Sequence, residues 1–391
     1  MRRRTFLGAA GVAALSGCVN LAGDGGEGGP ITVGAIEPLS GPFTPWGTTH
    51  RDGLRFAIEE INADGGVDGR ELSLTVTDTA SDPTDADSVF RRMVEQENAV
   101  AVTGPVSSDV GIRTARTAEE LSVPLLLHMA GSEDVLSRGS RYTFRTALLP
   151  APTTMRAQAQ LVAEAGYESV GAIVADYAWG DSVREGVREQ FPVEVRTRTA
   201  PVGADDFKPF LRQFPEDLEM MIATGHPPGA VTIMRQQFQL GYEPAVTTES
   251  GFPPALIHDA LGGDATRGIT HTHLTDVYSE EFRAVAERYA EATGGRMGTH
   301  EGYGYVAGQL IAEAIRRAGS TDPAELAETI RGIRFDTLYA NPIQYTEWGE
   351  LRDQRQIYSG YEAGAPEYYP DAEYRLTETF RTAPLAPFDP A

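Results

Sequence analysis

Short apolar segments alternate with amphipathic segments along most of this chain, in two successive series. The first series runs from Ile31–Ile36 to Val123–Leu127, and the second runs from 154 to 247, with a break near residue 148. Short apolar runs between turn residues suit buried strands, and the spacing of apolar residues in segments such as Gly53–Ala63 suits amphipathic helices. Strands that alternate with helices in this way form parallel sheets through right-handed crossovers. The alternation therefore predicts an α/β fold of two doubly wound parallel-sheet lobes.

Helical patterns without intervening strands follow residue 275. They cover 279–293 and 303–318, and a third helix is predicted to begin at Asp322-Pro323, an N-cap followed by an N1 proline. Because helices alone cannot build a third sheet, we expect them to return to the first lobe, with crossings between lobes near 148, 275 and 335. The predicted organisation is lobe 1 at 31–148 and 275–335, lobe 2 at 149–274 and 336–370, and an irregular tail at 371–391.

The N-terminus has the layout of an export signal. Arg2-Arg3-Arg4 precedes a short apolar run in the manner of a twin-arginine signal, and small residues precede Cys18, the only cysteine of the chain. Cys18 stands where lipoprotein signals place the acylated cysteine. The apolar run is too short for a transmembrane helix, which needs about 20 apolar residues. We predict an export signal at 1–17, a lipid anchor and Gly-rich linker at 18–30, and a position on the outer face of the cell membrane.

Acidic residues dominate the charge of the chain. It has 56 Asp and Glu against 33 Lys and Arg, and its formal net charge is −23. Such a surface repels nucleic acid and anionic lipid headgroups, so we expect neither as a partner of this surface. Lys208 is the only lysine, and the composition resembles that of proteins from high-salt organisms, where salt screens dense surface charge. It predicts a halophilic, haloarchaeal source.

The sequence lacks the motifs of several enzyme classes. The loop after the first strand, Leu39–Gly47, has no G-x-G-x-x-G pattern, which argues against a dinucleotide-dependent enzyme. Neither a G-x-S-x-G elbow nor an H-E-x-x-H motif occurs, so hydrolase chemistry has no support. The acidic run Asp78–Asp87 lacks the spacing of a calcium loop, and His271-Thr272-His273 lacks further metal ligands. We therefore expect a binding protein without catalytic residues, cofactor or metal.

Segments rich in small and hydroxyl residues follow several of the predicted strands. They are Gly104–Asp109, His128–Ser132, Tyr177–Gly180, Gly225–Pro228 and Thr248–Gly251. In open α/β sheets, ligands bind beyond the carboxyl ends of the strands. Serine hydroxyls and free N–H groups at a helix N-terminus suit an anion such as a carboxylate, and plain helix capping is the alternative role, which can coexist with binding.

Five motifs, in their order and spacing, are similar to those of branched-chain amino-acid-type substrate-binding proteins. They are Ile36–Gly47 (IEPLSGPFTPWG), Glu59–Arg70 (EEINADGGVDGR), Asp82-Pro83, Gly104–Ser108 and Phe144-Arg145-Thr146. The proteins of that family are extracytoplasmic receptors of ABC importers, which present a small solute to a membrane permease and ATPase complex. The resemblance extends from about residue 31 to residue 361 and implies a type I periplasmic-binding fold, with two lobes joined by a three-crossover hinge.

The resemblance also implies a ligand site in the cleft between the lobes, with N–H and hydroxyl groups that replace water around a ligand carboxylate. The implied residues are Ser107, Ser108, Ala130 and Ser132 as carboxylate contacts, Trp46 and Trp179 as aromatic walls, Glu249 as the partner of a ligand ammonium, and His226 in place of an expected tyrosine.

The class of ligand stays open at this point. Tryptophan stands at both walls, where tyrosine is common in the family, and this removes hydroxyls and narrows the space. An amino acid is expected, and an amide, a urea-like compound or an aromatic carboxylate is the alternative. A sensory binding protein is a further alternative to a transport receptor. The alternative to ligand binding is an ordinary structural role for both residues. Trp46 would then belong to the hydrophobic core, and Glu249 would be a surface acid.

Overall fold

The computed structural model describes residues 28–224, 229–249 and 251–390. Its strands are β1 (Ile31–Glu37), β2 (Leu72–Asp78), β3 (Ala101–Thr103), β4 (Leu125–Leu127), β5 (Thr143–Arg145), β6 (Val170–Ala175), β7 (Val195–Ala200), β8 (Met220–Thr224), β9 (Val246–Thr248), β10 (Ile269–His273), β11 (Ile357–Ala363) and β12 (Tyr374–Arg381). Its α-helices are α1 (Thr44–Ala63), α2 (Pro83–Glu95), α3 (Ser108–Leu121), α4 (Ala151–Ala165), α5 (Ala178–Gln190), α6 (Lys208–Leu211), α7 (Gly229–Gln239), α8 (Pro254–Leu261), α9 (Glu280–Thr293), α10 (Thr299–Ala318) and α11 (Pro323–Gly332). The predicted export signal, Cys18 and His226 lie outside the described residues.

The strands form two sheets, one in each lobe. Lobe 1 contains a parallel sheet with the strand order β2-β1-β3-β4-β5. Lobe 2 contains a sheet with the order β12-β11-β10-β9-β8-β6-β7, in which β11 runs antiparallel to both of its neighbours. The predicted class, two α/β lobes built on parallel sheets, is confirmed, and the antiparallel edge is an addition that the alternation did not predict.

Lobe 1 buries both faces of its sheet. Leu126 packs in the same hydrophobic cluster as Leu54 of α1, whereas Leu125 and Leu127 pack with Phe90 of α2 on the other side. Successive side chains of a strand point to opposite faces, so a fully apolar strand needs helices on both. This explains why β4 consists of three consecutive leucines.

Helix α10 returns to lobe 1 and packs backbone to backbone against α1. A Cβ atom on Gly53 would lie 1.9 Å from the Glu301 carbonyl oxygen, and one on Gly304 would lie 2.0 Å from the His50 carbonyl oxygen. Only glycine permits such an approach. The contact fixes the first turns of α10 beside α1, which carries Trp46.

The segment between α11 and β11 contacts lobe 1, which corrects the predicted start of lobe 2 at residue 336. The Arg145 backbone N–H donates to the Gly349 carbonyl oxygen at 3.0 Å. The Arg145 guanidinium, in turn, forms a buried ion pair with Glu350 at 2.8 Å, with both side chains 1% exposed. Residues 349 and 350 thus contact β5 at the edge of the first sheet, and the chain enters the second sheet only with β11.

The predicted irregular tail at 371–391 is also wrong in part, because it contains the eight-residue strand β12. Its alternating, mostly polar sequence pairs antiparallel with β11 at the edge of the lobe 2 sheet. Strands at a sheet edge are half-solvated and need few apolar residues, which is why the apolar pattern missed this one.

No membrane span occurs in the described part of the chain, where every helix is too short or too polar to serve as one.

We predict that Glu350→Gln lowers the free energy of unfolding by about 3–5 kcal/mol, because it leaves the buried Arg145 guanidinium without its counter-ion. Urea denaturation followed by circular dichroism measures this. Glu185→Gln is the matched control, since it breaks an exposed pair with Arg188 and should change stability by less than about 1 kcal/mol. Equal effects of the two substitutions would contradict the structural role given to the buried pair.

Candidate functional site

The carboxyl ends of the strands carry the candidate residues to the junction of the two lobes. Trp46 lies in the first turn of α1, and Ser108 begins α3 directly after the β3 loop. From lobe 2, Trp179 lies in the first turn of α5, and Glu249 directly follows β9. All four side chains are buried.

A small cavity of about 40 Å³, here called the aromatic cavity, lies between the lobes. Its lining residues are Phe43, Trp46, Val106, Ser108, Met129, Leu148, Tyr177, Trp179, Thr224 and Phe252. One water molecule needs about 10–15 Å³ of such space, so the cavity has room for only a few water molecules. The lobes are therefore closed onto each other in this structure, and entry of a solute requires them to separate.

Direct contacts hold the closed lobes together around this cavity. The Trp46 indole N–H donates to the Gly251 carbonyl oxygen at 2.7 Å, and the Trp46 ring meets Phe252 edge-on with centroids 4.6 Å apart. Ser132 Oγ of lobe 1 lies 3.0 Å from Ser182 Oγ of lobe 2. These contacts use groups from both lobes, so they form only on closure.

Gly131 allows the closest of these approaches. A Cβ atom on Gly131 would lie 2.3 Å from Cζ3 of Trp179. The ring of Trp179 therefore packs directly on the backbone of the loop that joins β4 to the rest of lobe 1. A larger residue at this position would keep the lobes apart.

The predicted carboxylate contacts lie together, but only Ser108 lines the aromatic cavity. The Ser132 backbone N–H donates to Ser108 Oγ at 3.1 Å, which couples the two serine loops. Ser107 is the N-cap residue of α3, and its side chain makes no capping hydrogen bond. The plain capping role considered for Ser107 is therefore absent, and the N-terminus of α3 keeps the partial positive charge of its free N–H groups.

Arg145 holds the second serine loop from behind. Its guanidinium donates to the Ala130 carbonyl oxygen at 2.5 Å and to the Ser132 carbonyl oxygen at 3.3 Å, in addition to the pair with Glu350. Because both carbonyl groups point toward Arg145, the loop is fixed in one orientation. Phe144-Arg145-Thr146, noted in the sequence only as part of a family motif, thus has a definite positioning role.

Glu249 is fully buried, so its alternative role as a surface acid is excluded. One carboxyl oxygen accepts from the Thr272 N–H at 2.9 Å and lies 2.8 Å from His271 Nδ1, and the other accepts from the Phe252 N–H. Burial raises the pKa of Glu249 to about 8, against the opposing effect of these N–H donors. Burial likewise lowers the pKa of His271 to about 3, and its other nitrogen lies 3.0 Å from Thr299 Oγ1.

Glu249 thus makes its contacts within lobe 2 and does not line the aromatic cavity in this closed arrangement. Its loop nevertheless forms one wall of the cavity, because Phe252 is part of the lining and Gly251 accepts from Trp46. The carboxyl group lies directly behind that wall.

Several lining residues were not singled out from the sequence. Tyr177 belongs to a candidate loop of the sequence analysis and Phe43 to the first family motif, although neither residue was named as a contact. Phe252 follows the Thr248–Gly251 segment by one residue, and Met129 lies within the His128–Ser132 loop. The loops were thus identifiable, but which of their side chains face the cavity depends on backbone direction.

A larger cavity of about 400 Å³ shares no lining residue with the aromatic cavity. Its charged side chains have partners within the protein. Arg283 pairs with Glu367, and Arg296 stacks on Tyr374 at 4.1 Å. It also lacks the loops that follow β3, β4 and β6, so the aromatic cavity is the candidate site.

A closed interlobe cavity at the carboxyl ends of two sheets, with walls from both lobes, defines a bilobal solute-binding protein. Comparison with known proteins agrees with this class. A sequence family described as periplasmic binding protein matches residues 30–359. The chain belongs to this family.

Individual relatives resemble the chain over most of its length. The leucine-, isoleucine-, valine-, threonine- and alanine-binding protein of Pseudomonas aeruginosa is 26% identical, over 83% of this chain and 87% of the relative. Among solved structures, LivJ of Streptococcus pneumoniae in complex with isoleucine has a TM-score of 0.74 at 20% identity, covering 89% of this chain and 99% of that one. An ABC transporter solute-binding protein of R. palustris in complex with benzoate has a TM-score of 0.78 at 19% identity, covering 92% and 98%.

Proposed function

We propose that this protein is the extracytoplasmic receptor of an ABC importer and that it captures a small amino acid, branched-chain or similar, between the walls of the aromatic cavity, which stand further apart around a bound solute. The observation that carries the proposal is the meeting of Trp46, Ser108 and Trp179 in one cavity between the lobes. Each residue comes from a loop at the carboxyl end of a parallel strand, where such folds bind ligands. The relatives that bind branched-chain amino acids support the choice of ligand.

Closure supplies the binding energy in this proposal. The solute meets the N-terminus of α3 and Ser108 on lobe 1 while the lobes are apart, and Trp179 and Phe252 cover it from lobe 2 on closing. Contacts that exist only in the closed form shift the population toward that form. The permease and ATPase complex would then recognise the closed receptor and receive the solute.

Glu249 would pair with the ammonium group of a zwitterionic solute. The carboxyl group is largely protonated at neutral pH when no cation is near, because its pKa is raised to about 8. A neighbouring ammonium favours the ionised form and would lower that pKa. Binding of an amino acid would therefore release a proton from Glu249.

An aromatic carboxylate is the second candidate solute. Five of the ten lining residues are aromatic, and the described residues contribute no ionised side chain to the lining. An aromatic acid needs a carboxylate site and stacking surfaces but no anionic partner. The benzoate complex of a structural neighbour supports this alternative.

The protein would work as a lipoprotein attached to the outer face of the cell membrane through Cys18. Replacement Cys18→Ser should move the protein from the membrane fraction to the soluble extracellular fraction, as measured by fractionation and immunoblotting. Retention in the membrane fraction would contradict the anchor.

Calorimetric titration with a panel of leucine, isoleucine, valine, alanine, benzoate and an uncharged amide tests the proposed function. We expect an amino acid to bind, and Ser108→Ala to weaken that binding about tenfold through loss of a hydrogen bond to a charged group. Ser88→Ala, on the exposed side of α2, is the matched control and should have no effect. Binding of benzoate but of no amino acid would favour the second candidate, and binding of the amide alone would contradict both.

Proton release discriminates between the two candidate solutes. At pH 7, binding of an amino acid should release up to about one proton, and affinity should rise as the pH increases toward 8. Glu249→Gln should abolish the release and weaken amino-acid binding by about 2–5 kcal/mol. Titrations in buffers of different ionisation enthalpy measure the release, and a solute that binds without release and equally well to Glu249→Gln has no ammonium paired with Glu249.

A further inference from the structure

Four titratable side chains meet in lobe 1, behind the wall of the aromatic cavity that contains Trp46 and Met129. Glu37 is the last residue of β1, His50 lies on α1 one turn after Trp46, His128 directly follows β4, and His300 lies in the first turn of α10. Each is at most 1% exposed. This group is distinct from the aromatic cavity, whose lining contains none of the four.

The group has the dimensions of a metal centre. One carboxylate oxygen of Glu37 and one ring nitrogen from each of His50 and His128 lie within 4.8 Å of one another. His50 Nδ1 lies 2.6 Å from Glu37 Oε1, and the rings of His50 and His128 stack with centroids 4.1 Å apart. His128 Nε2 lies 3.0 Å from His300 Nδ1.

Three polar atoms in the group have no partner in the described part of the chain. Glu37 Oε2, His128 Nδ1 and His300 Nε2 are fully enclosed and make no hydrogen bond. An enclosed acceptor or donor without a partner destabilises the fold, so such atoms are rare unless an ion or a water molecule satisfies them. The first two atoms belong to residues of the same three-residue group, and the third belongs to His300 beside it.

We propose that Glu37, His50 and His128 bind one divalent transition-metal ion, with zinc as the best match. Imidazole nitrogen together with a single carboxylate suits zinc, whereas calcium and magnesium prefer oxygen ligands. Zinc holds such ligands at about 2.0–2.2 Å and lies in the plane of each imidazole ring, so the stacked rings of His50 and His128 must rotate for one ion to reach both. Three protein ligands leave a fourth position for water.

His300 acts as a positioning residue for this centre. Histidines that bind zinc usually use their second ring nitrogen for an outer hydrogen bond, which fixes the ring and its tautomer. The contact between His300 Nδ1 and His128 Nε2 has that form and leaves His128 Nδ1 for the metal. A metal here would join β1, α1 and the β4 loop directly behind Trp46 and Met129.

Zinc chloride titration of the purified full-length protein, stripped with a chelator, tests the proposal. We expect about one zinc ion per chain by mass spectrometry of the metal content, and a higher melting temperature with zinc than without it. Glu37→Gln and His128→Asn should lose the bound zinc, and His300→Asn should weaken binding about 10–100-fold. His258→Asn is the matched control, since His258 stacks on Tyr374 in lobe 2 and should leave zinc binding unchanged.

X-ray absorption at the zinc edge of the wild-type protein keeps the test decisive if a variant does not fold. Two imidazole ligands and further oxygen ligands would support the proposal. Full zinc occupancy in both Glu37→Gln and His128→Asn, or a zinc spectrum without imidazole, would overturn it. So would a wild-type protein that binds no zinc, because water would then be the partner of the three enclosed atoms.

Discussion

The buried guanidinium of Arg145 is the interaction on which the arrangement of the cleft depends. It pairs with Glu350 and also donates to the carbonyl groups of Ala130 and Ser132. One side chain therefore fixes both the loop that faces Trp179 and the segment through which the chain returns to lobe 2. A deeply buried guanidinium is tolerated only when its N–H donors have acceptors. The acceptors of Arg145 lie in the loop and in the returning segment, so both must keep their positions.

The surfaces that the two lobes present to each other across the cleft explain how the lobes close. The aromatic walls come from both lobes, and Gly131 lets the ring of Trp179 reach the opposite backbone. The cavity has room for few water molecules, which would strengthen the proposed interactions of a ligand charge with the N-terminus of α3 and with Glu249. The carboxyl group of Glu249 accepts one hydrogen bond from the loop that forms the wall, through the Phe252 N–H, and one from the neighbouring strand, through the Thr272 N–H.

Much of the fold could be predicted from the sequence because its signals are local. The apolar runs at β1, β4 and β6 and the helical spacing of α9 and α10 depend on near neighbours only. Helix α1 begins at Thr44, nine residues before the predicted start, because Pro45 and Trp46 interrupt the apolar spacing although both suit a first turn. Strand β12 and the contact of residues 349 and 350 with lobe 1 were missed, since polar edge strands and long-range ion pairs leave no apolar pattern.

The sequence by itself determined the class of the fold and the positions of the candidate loops, and the family resemblance predicted Trp46 and Trp179 as aromatic walls. Only the tertiary structure decided which side chains of those loops share a cavity and that Glu249 makes its contacts behind the wall. It also brought together Glu37, His50, His128 and His300, whose separation along the chain hides any common pattern. The physical reason is that periodicity reports burial of one element at a time, whereas a site depends on the directions in which distant elements face each other.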